Sequence, residues 1–208
     1  GALLNQKALI WNAKMSHHAH SLQSCDNVLV FLPLFHVGGI NILLMPALLL
    51  GATVVLQEKF EVEDAIKAIE YFHITHIITV PTVLDQIINS KSWNETDLSS
   101  LRTISVGSTN VPLSLIKKFH DYSIPIIQIY GATETGPIAI YQTIEDALIS
   151  EGSIGKKGLN CFVRLVNDEL EDVGLGEPGQ ILIAASGNQP NFETGTIVNL
   201  SFEVLEGF

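Results

Sequence analysis

The sequence predicts an α/β fold: a parallel, doubly wound sheet with flanking helices, followed by the start of a small β subdomain. Short continuous apolar runs, such as residues 27–32, are typical of buried parallel strands. From about residue 26 to residue 136 such runs alternate with helical periodicity, which is the βαβ pattern. After about residue 145 short strands lie between Gly and Pro turns. We therefore predict an α/β unit over residues 1–147 and a partial β-rich unit over residues 148–208.

Periodicity and turn residues place the elements of the first unit in order. The predicted helices cover residues 3–20, 40–50, 62–72, a segment opening at 81, and 113–120. The predicted strands cover residues 27–32, 52–56, 76–80, 103–106 and the run into Tyr130. Gly51 is expected to end the second helix as a C-cap. The strand at 52–56 is expected to be buried, Phe72 to face inward, and residues 91–98 to form a polar loop.

Composition limits the classes of function. The formal net charge is −11, from 22 acidic and 11 basic side chains, and no basic stripe is present. This excludes a nucleic-acid surface and disfavours an anionic membrane surface. The most apolar stretch, residues 42–56, is interrupted by Pro46 and Gly51, so no integral membrane segment is expected. Cys25 and Cys161 lie far apart without a metal-binding spacing, which fits a reducing cytoplasm.

Three histidines, His17, His18 and His20, end the first predicted helix. His17 and His20 have the spacing of two metal ligands on one helix face, but no cysteine or carboxylate is spaced to join them. We expect them to be solvent-exposed histidines at a helix end.

Three loops follow predicted strands and carry small or polar residues. They contain His36 before Gly38 and Gly39, the run Gly107-Ser108-Thr109-Asn110, and the run Gly131 to Glu134. Because the carboxyl ends of parallel strands share one edge of a sheet, we expect the three loops to form one ligand site. The alternative for each is an ordinary structural loop.

The stretch IQIYGATETGP carries the most chemistry. Tyr130 offers a flat face for a ring, and Gly131 allows close approach of a backbone to a ligand. Thr133 and Thr135 have hydroxyls that can donate to phosphate oxygens. Glu134 has a carboxylate that suits a hard cation such as Mg²⁺. The alternative is a strand followed by an ordinary polar turn.

Together these motifs resemble the AMP-forming acyl-CoA synthetase branch of the adenylate-forming superfamily. The resemblance covers nearly the whole chain, and its motifs keep the family's order. They are LLNQKALIWNA, LPLFHVGG, THIITVPTVL, VGSTNVP, QIYGATETGP, GSIGKKG and GEPGQILI.

The resemblance implies a two-step reaction. A carboxylic acid reacts with ATP to give an acyl-adenylate and pyrophosphate, and the thiol of coenzyme A then displaces AMP. It implies that Gln128, Tyr130, Gly131, Ala132 and Thr133 bind the nucleotide, with Thr133 at the α-phosphate. The implied ligand of Mg²⁺ is Glu134. The residues implied to border the acyl group are His36, Gly107, Ser108 and Thr109, with His36 also on the thiol path.

The sequence departs from the family pattern in several places. Gly107-Ser108-Thr109 replaces the usual Gly-Gly-Ala, which is expected to narrow the acyl pocket or shift its preference. Gln128 stands where several adenylation domains have Asn. The family's phosphate loop would precede Ala2, and its ribose-binding Asp and catalytic Lys would follow the chain. The chain therefore resembles the middle of a protein more than twice as long.

Several alternatives stay open at this point. The acid is aromatic, medium-chain or branched, and the thiol belongs to coenzyme A or to a carrier protein. A non-catalytic chain that binds an adenylate or a partner is the other hypothesis. We expect the isolated 208 residues to show no turnover. An exposed sheet edge is expected to favour self-association of the isolated chain.

Overall fold

A seven-stranded mixed sheet organises residues 2–185, the part of the chain that the structure, a computed structural model, describes. In chain order its strands are β1 Asn27–Val30, β2 Thr53–Leu56, β3 His76–Thr79, β4 Thr103–Gly107, β5 Ile126–Tyr130, β6 Ile140–Tyr141 and β7 Lys156–Lys157. Their order in space is β2-β1-β3-β4-β5-β6-β7. The pairs that join β2, β1, β3, β4 and β5 are all parallel, whereas β6 and β7 add to the sheet antiparallel.

Helices cover both faces of this sheet, so the predicted doubly wound architecture is confirmed. They are α1 Gln6–His20, α2 Val37–Gly39, α3 Met45–Leu50, α4 Val62–Tyr71, α5 Pro81–Ile88, α6 Leu113–His120 and α7 Ile144–Ile149. A π-helical turn, Ile40–Leu44, joins α2 to α3 and is called the π segment below.

Successive strand residues point to opposite faces, so each strand supplies two cores. Ile78 and Ile127 pack under α1 and α3 in one hydrophobic cluster. Their neighbours Ile77 and Ile126 pack under α4, α5 and α6 in the other. Continuous apolar runs in the sequence are therefore explained by burial on both faces.

Capping residues set the helix ends close to their predicted positions. The Asn5 side chain accepts a hydrogen bond from the Ala8 amide at 2.8 Å, so α1 begins at Gln6. Gly51 ends α3 in the left-handed conformation, with φ of 85°, as predicted.

Three local predictions were wrong. β2 is the edge strand next to β1, and Leu56 is 54% exposed because its outer side has no neighbouring strand among the described residues. Phe72 is exposed because it follows the last residue of α4 and stacks edge to face on Tyr71. Residues 91–98 are not simply a polar loop, because a short 3₁₀ helix there buries Trp93 completely against Phe119. Self-association through the β2 edge stays a prediction.

The histidines of α1 differ from one another. His18 is exposed and His17 half-buried, but His20 is fully buried, so the expectation of exposure was wrong for His20. The last turn of α1 packs over the sheet, and the ring of His20 faces that of His76. Within residues 2–185 no group of three His, Cys, Asp or Glu side chains is arranged to hold a metal ion.

Two further strands, β8 Cys161–Val166 and β9 Gln180–Ala185, form the antiparallel hairpin expected after residue 145. The predicted division at residue 147 falls inside α7, and the large sheet continues to Lys157, so the domain boundary stays a prediction. Residues 186–208 of the predicted β unit lie outside the described residues. None of the described helices has the length and hydropathy needed to span a bilayer.

Candidate active site

The carboxyl ends of the central strands surround a cavity of about 550 Å³. The loops after β1, β4 and β5 all contribute to its wall, together with the end of β3. The lining residues predicted from sequence are His36, Gly107, Ser108, Gly131, Ala132, Thr133 and Glu134. Three loops that are distant in sequence thus meet at one edge of the sheet.

The loop after β1 turns tightly before entering α2. A Cβ atom at Gly39 would lie 2.3 Å from the carbonyl oxygen of Pro33, so only glycine fits there. The Nδ1 atom of His36 accepts a hydrogen bond from the Gly38 amide at 3.0 Å and thereby caps α2. A neutral His36 ring therefore carries its proton on Nε2, which makes that atom a hydrogen-bond donor.

The loop after β4 lies against the end of β5. A Cβ atom at Gly107 would lie 2.6 Å from the Ile129 carbonyl oxygen, so the two strand ends are in close contact. Ser108 has φ of 79°, a left-handed conformation that favours glycine. Both residues line the cavity, whereas Thr109 is exposed and does not belong to its wall.

The loop after β5 folds back onto Pro137. A Cβ atom at Gly131 would lie 1.8 Å from the Pro137 carbonyl oxygen, which explains the glycine. Thr133 is half-buried and Glu134 exposed, and both line the cavity. Thr135 is different, because its hydroxyl accepts from the Ala132 amide and donates to the Ala132 carbonyl, each at 2.9 Å. The expectation that Thr135 donates to a phosphate was therefore wrong; it stabilises the turn.

The two polar residues within β5, Gln128 and Tyr130, are not among the residues that line the cavity. Tyr130 is half-buried, and burial raises the pKa of its hydroxyl to about 12. Gln128 is buried, and its Nε2 donates to the Ser153 carbonyl at 2.8 Å. The backbone N–H of Gln128 donates to Oε1 of Gln142 at 3.1 Å. Gln128 thus attaches the turn near Ser153 to the sheet, and contact of Gln128 and Tyr130 with a nucleotide stays a prediction.

The charge of the cavity wall comes from a single acidic residue within residues 2–185, Glu134. Mg²⁺ commonly binds through one or two carboxylates together with substrate phosphates. One exposed carboxylate beside an open cavity therefore fits an ion that arrives with a nucleotide.

Some residues of the cavity were missed in the sequence. Phe35, Ile42 and Pro137 also line it. The signal available for Phe35 was its place between Leu34 and His36 in the loop after β1, where a large apolar residue has no strand or helix to bury it; it is 94% exposed. Ile42 and Pro137 carry no such local signal.

Comparison with known sequences gives a consistent result. The family model described as AMP-binding enzyme matches residues 1–190. An indoleacetate–CoA ligase of Aromatoleum aromaticum is 48% identical over 183 residues, covering 88% of this chain and 36% of the relative. A feruloyl-CoA synthase of an Amycolatopsis species is 34% identical over 187 residues, covering 88% of this chain and 38% of the relative. The chain thus spans well under half the length of these relatives.

Solved structures with the same fold include several with bound small molecules. The o-succinylbenzoate coenzyme A synthetase of Bacillus subtilis, in complex with ATP and magnesium ion, superposes with a TM-score of 0.79 at 28% identity over 89% of this chain and 38% of that one. The inhibitor-bound N-terminal domain of FACL13 from Mycobacterium tuberculosis gives a TM-score of 0.80 at 22% identity, over 89% of this chain and 46% of that one. The second likeness concerns the fold alone.

Proposed function

Since the chain belongs to the AMP-binding enzyme family, we propose that the complete protein is an AMP-forming acid–thiol ligase. It would activate a carboxylic acid as an acyl-adenylate and transfer the acyl group to the thiol of coenzyme A. The observation that carries this proposal is the cavity itself: its wall is built from His36, Gly107, Ser108 and the loop from Gly131 to Glu134. Two relatives that match 88% of this chain are named indoleacetate–CoA ligase and feruloyl-CoA synthase.

The loop after β5 is the proposed nucleotide site. Gly131, Ala132 and Thr133 would surround the α-phosphate, because all three line the cavity and Thr133 carries a hydroxyl. Tyr130 and Gln128 would lie on the adenine side of this loop, which requires the Gln128 side chain to exchange its contact with Ser153. Glu134 would hold Mg²⁺, and the ion when bound offsets negative charge on the phosphates.

The opposite wall is the proposed acyl site. His36, with its donor Nε2, would border the acyl carboxyl group, while Gly107 and Ser108 would limit the depth of the pocket. Thr109 would contact the substrate only at the entrance, because it is exposed. The cavity also contains the apolar side chains of Phe35, Ile42 and Pro137. A flat apolar acid suits such walls.

We propose an aromatic carboxylic acid as the substrate class. Indoleacetate, ferulate and 2-succinylbenzoate, the acids after which these relatives are named, all contain an aromatic ring. A medium-chain or branched acid is the alternative. We also propose that the protein acts in the reducing cytoplasm, since its two cysteines are unbonded, one exposed and one buried.

The chemistry requires alignment more than any single strong acid or base. One carboxylate oxygen of the acid attacks the α-phosphorus of ATP, and the bond from that phosphorus to the bridging oxygen breaks to release pyrophosphate. The thiol sulfur then attacks the acyl carbonyl, and AMP leaves with the oxygen that joined them. The hydroxyl of Thr133 would donate to the phosphate and stabilise its negative charge as the bonds to phosphorus change.

The test is pyrophosphate–ATP exchange by the complete protein with a panel of aromatic, medium-chain and branched acids, followed by thioester formation with coenzyme A or a carrier protein. We expect exchange with an aromatic acid. Glu134→Gln keeps the shape of the side chain and is expected to slow exchange about 10- to 100-fold, because a contact to a charged group is worth about 1.5–3 kcal/mol.

Glu70→Gln is the matched control, because Glu70 is exposed on α4 and does not line the cavity. It is expected to leave exchange unchanged. Absence of exchange with every acid in the panel would refute the proposed function, and activity with carrier-bound thiols alone would reassign the acceptor. The isolated chain is expected to be inactive.

A further inference from the structure

The π segment leaves two backbone carbonyls without their usual helical partners. The amide of Met45 donates to the Ile40 carbonyl, five residues back, instead of to Asn41. The amide that would bond Ile42 in an α-helix belongs to residue 46, which is proline and has no N–H. The carbonyls of Asn41 and Ile42 therefore lack the amides that would bond them in an α-helix.

Helix α1 supplies both partners from one face. Asn12 Nδ2 donates to the Asn41 carbonyl at 2.5 Å, and Ser16 Oγ donates to the Ile42 carbonyl at 2.5 Å. The two side chains lie four residues apart and are 2% and 0% exposed. Because Ile42 lines the cavity, these bonds hold one wall in place.

Asn12 makes a second contact that Ser16 does not. Its Oδ1 accepts a hydrogen bond from the Ile138 amide at 3.1 Å. Ile138 directly follows Pro137. Pro137 lines the cavity, and its carbonyl lies against Gly131. One buried side chain thus bonds both the π segment and the end of the loop after β5.

We propose that Asn12 is a positioning residue that fixes the separation between the acyl wall and the nucleotide wall of the cavity. This rests on the proposed function, in which the acid carboxylate and the α-phosphate approach each other across that space. Asn12 touches neither of them, and acts through Ile138 and the π segment. A misplacement of about 1 Å in such an arrangement costs roughly 100-fold in rate.

The test compares Asn12→Ala and Asn12→Leu with Ser16→Ala in the complete protein. Leucine is close to asparagine in shape but makes neither hydrogen bond. Ser16→Ala is the matched control, because it removes a buried bond to the π segment, together with the 3.2 Å contact of Ser16 Oγ with His20 Nδ1, and leaves the contact of Asn12 with Ile138 intact. The readouts are kcat and KM for pyrophosphate exchange per folded molecule, and hydrogen exchange of the Ile138 amide.

Both Asn12 variants are expected to lower kcat about 10- to 100-fold while KM for ATP changes less than about threefold. Their Ile138 amide should exchange about tenfold faster or more. Ser16→Ala should stay within about threefold of the unaltered protein in kcat and keep the Ile138 amide protected.

Two results would overturn the proposal. One is an Asn12→Leu protein whose kcat stays within threefold of that of the unaltered protein. The other is a Ser16→Ala protein whose kcat falls as much as that of Asn12→Ala. If the unaltered protein exchanges pyrophosphate with no acid, the proposed function fails. Hydrogen exchange of the Ile138 amide then still tests whether Asn12 joins the π segment to the loop after β5. Faster exchange in Asn12→Leu but not in Ser16→Ala supports this connection, and unchanged exchange in Asn12→Leu refutes it.

Discussion

The buried rings of His20 and His76 stand edge to face with their centroids 6.2 Å apart, beneath the end of α1. His20 Nδ1 donates to the Ser16 carbonyl at 2.8 Å, and His76 Nε2 donates to the His20 carbonyl at 3.0 Å. Burial, followed by the neighbouring His76, lowers the pKa of His20 to about 3. Burial also lowers the pKa of His76, an effect that Asp26, which is paired with Arg102, partly opposes.

The first prediction concerns acid stability. Below its unfolded pKa of about 6.5, His20 binds a proton in the unfolded chain but not in the folded one, so the free energy of unfolding falls as pH drops and levels off near pH 3. For His20 this amounts to about 2 kcal/mol between pH 7.5 and pH 5. Urea titrations at the two pH values should show that the free energy of unfolding falls by about 2 kcal/mol less in His20→Gln than in the unaltered protein. An equal loss in both proteins would contradict the assignment.

The second prediction concerns Gly131, where any side chain meets the Pro137 carbonyl. Gly131→Ala should destabilise the fold by about 1–3 kcal/mol, because the loop must move. It should slow pyrophosphate exchange about 100-fold or more. Gly51→Ala is the control: it has φ of 85° but nothing within 4 Å of an added Cβ. It should lose stability and keep its activity, and a similar loss of activity in both variants would argue against a local effect.

The third prediction separates two neighbouring threonines. Thr135→Val should lower the free energy of unfolding by about 1–3 kcal/mol, since its hydroxyl makes both hydrogen bonds to Ala132. Thr133→Val should change stability by less than about 0.5 kcal/mol and slow pyrophosphate exchange tenfold or more. Thr133→Ser, which keeps the hydroxyl, should recover most of the rate. Full activity in Thr133→Val would remove Thr133 from the proposed phosphate site.

The fourth prediction concerns Ser108, which lines the cavity with φ of 79°. Ser108→Gly should raise the free energy of unfolding by about 0.5–1 kcal/mol, because glycine adopts this conformation without strain. It should also shift kcat/KM about fivefold or more toward bulkier acids. Ser123→Gly, an exposed position with φ of 61°, should gain stability without any change in acid preference. Loss of stability in Ser108→Gly would contradict this account.

The strands and the meeting of their loops were predictable because both follow from local pattern and from one rule of topology. Burial on two faces requires apolar runs such as residues 28–32, which include most of β1, and parallel strands present their carboxyl ends at one edge. His36, Ser108 and Glu134 came together for this reason.

The remaining features depend on which element lies next to which, and local pattern does not contain that information. The apolar pattern of residues 52–56 is the same for a central strand and for an edge strand. Leu56 is exposed because the strand order places β2 at the edge. Thr133 and Thr135 are the same residue type, and only the turn decides which hydroxyl is used internally. Asn12 appears as one polar residue in a helix until the π segment is placed beside it.

The hydrogen bond from Ile138 to Asn12 joins residues 126 positions apart in sequence. At a synthesis rate of about 5–20 residues per second, Ile138 leaves the ribosome roughly 6–25 seconds after Asn12. All five parallel strands are made in that interval, and each pairing between distant segments must overcome the entropy of closing the chain between them. The hydrogen bond that joins the two walls of the cavity therefore cannot form until the whole parallel part of the sheet has been made.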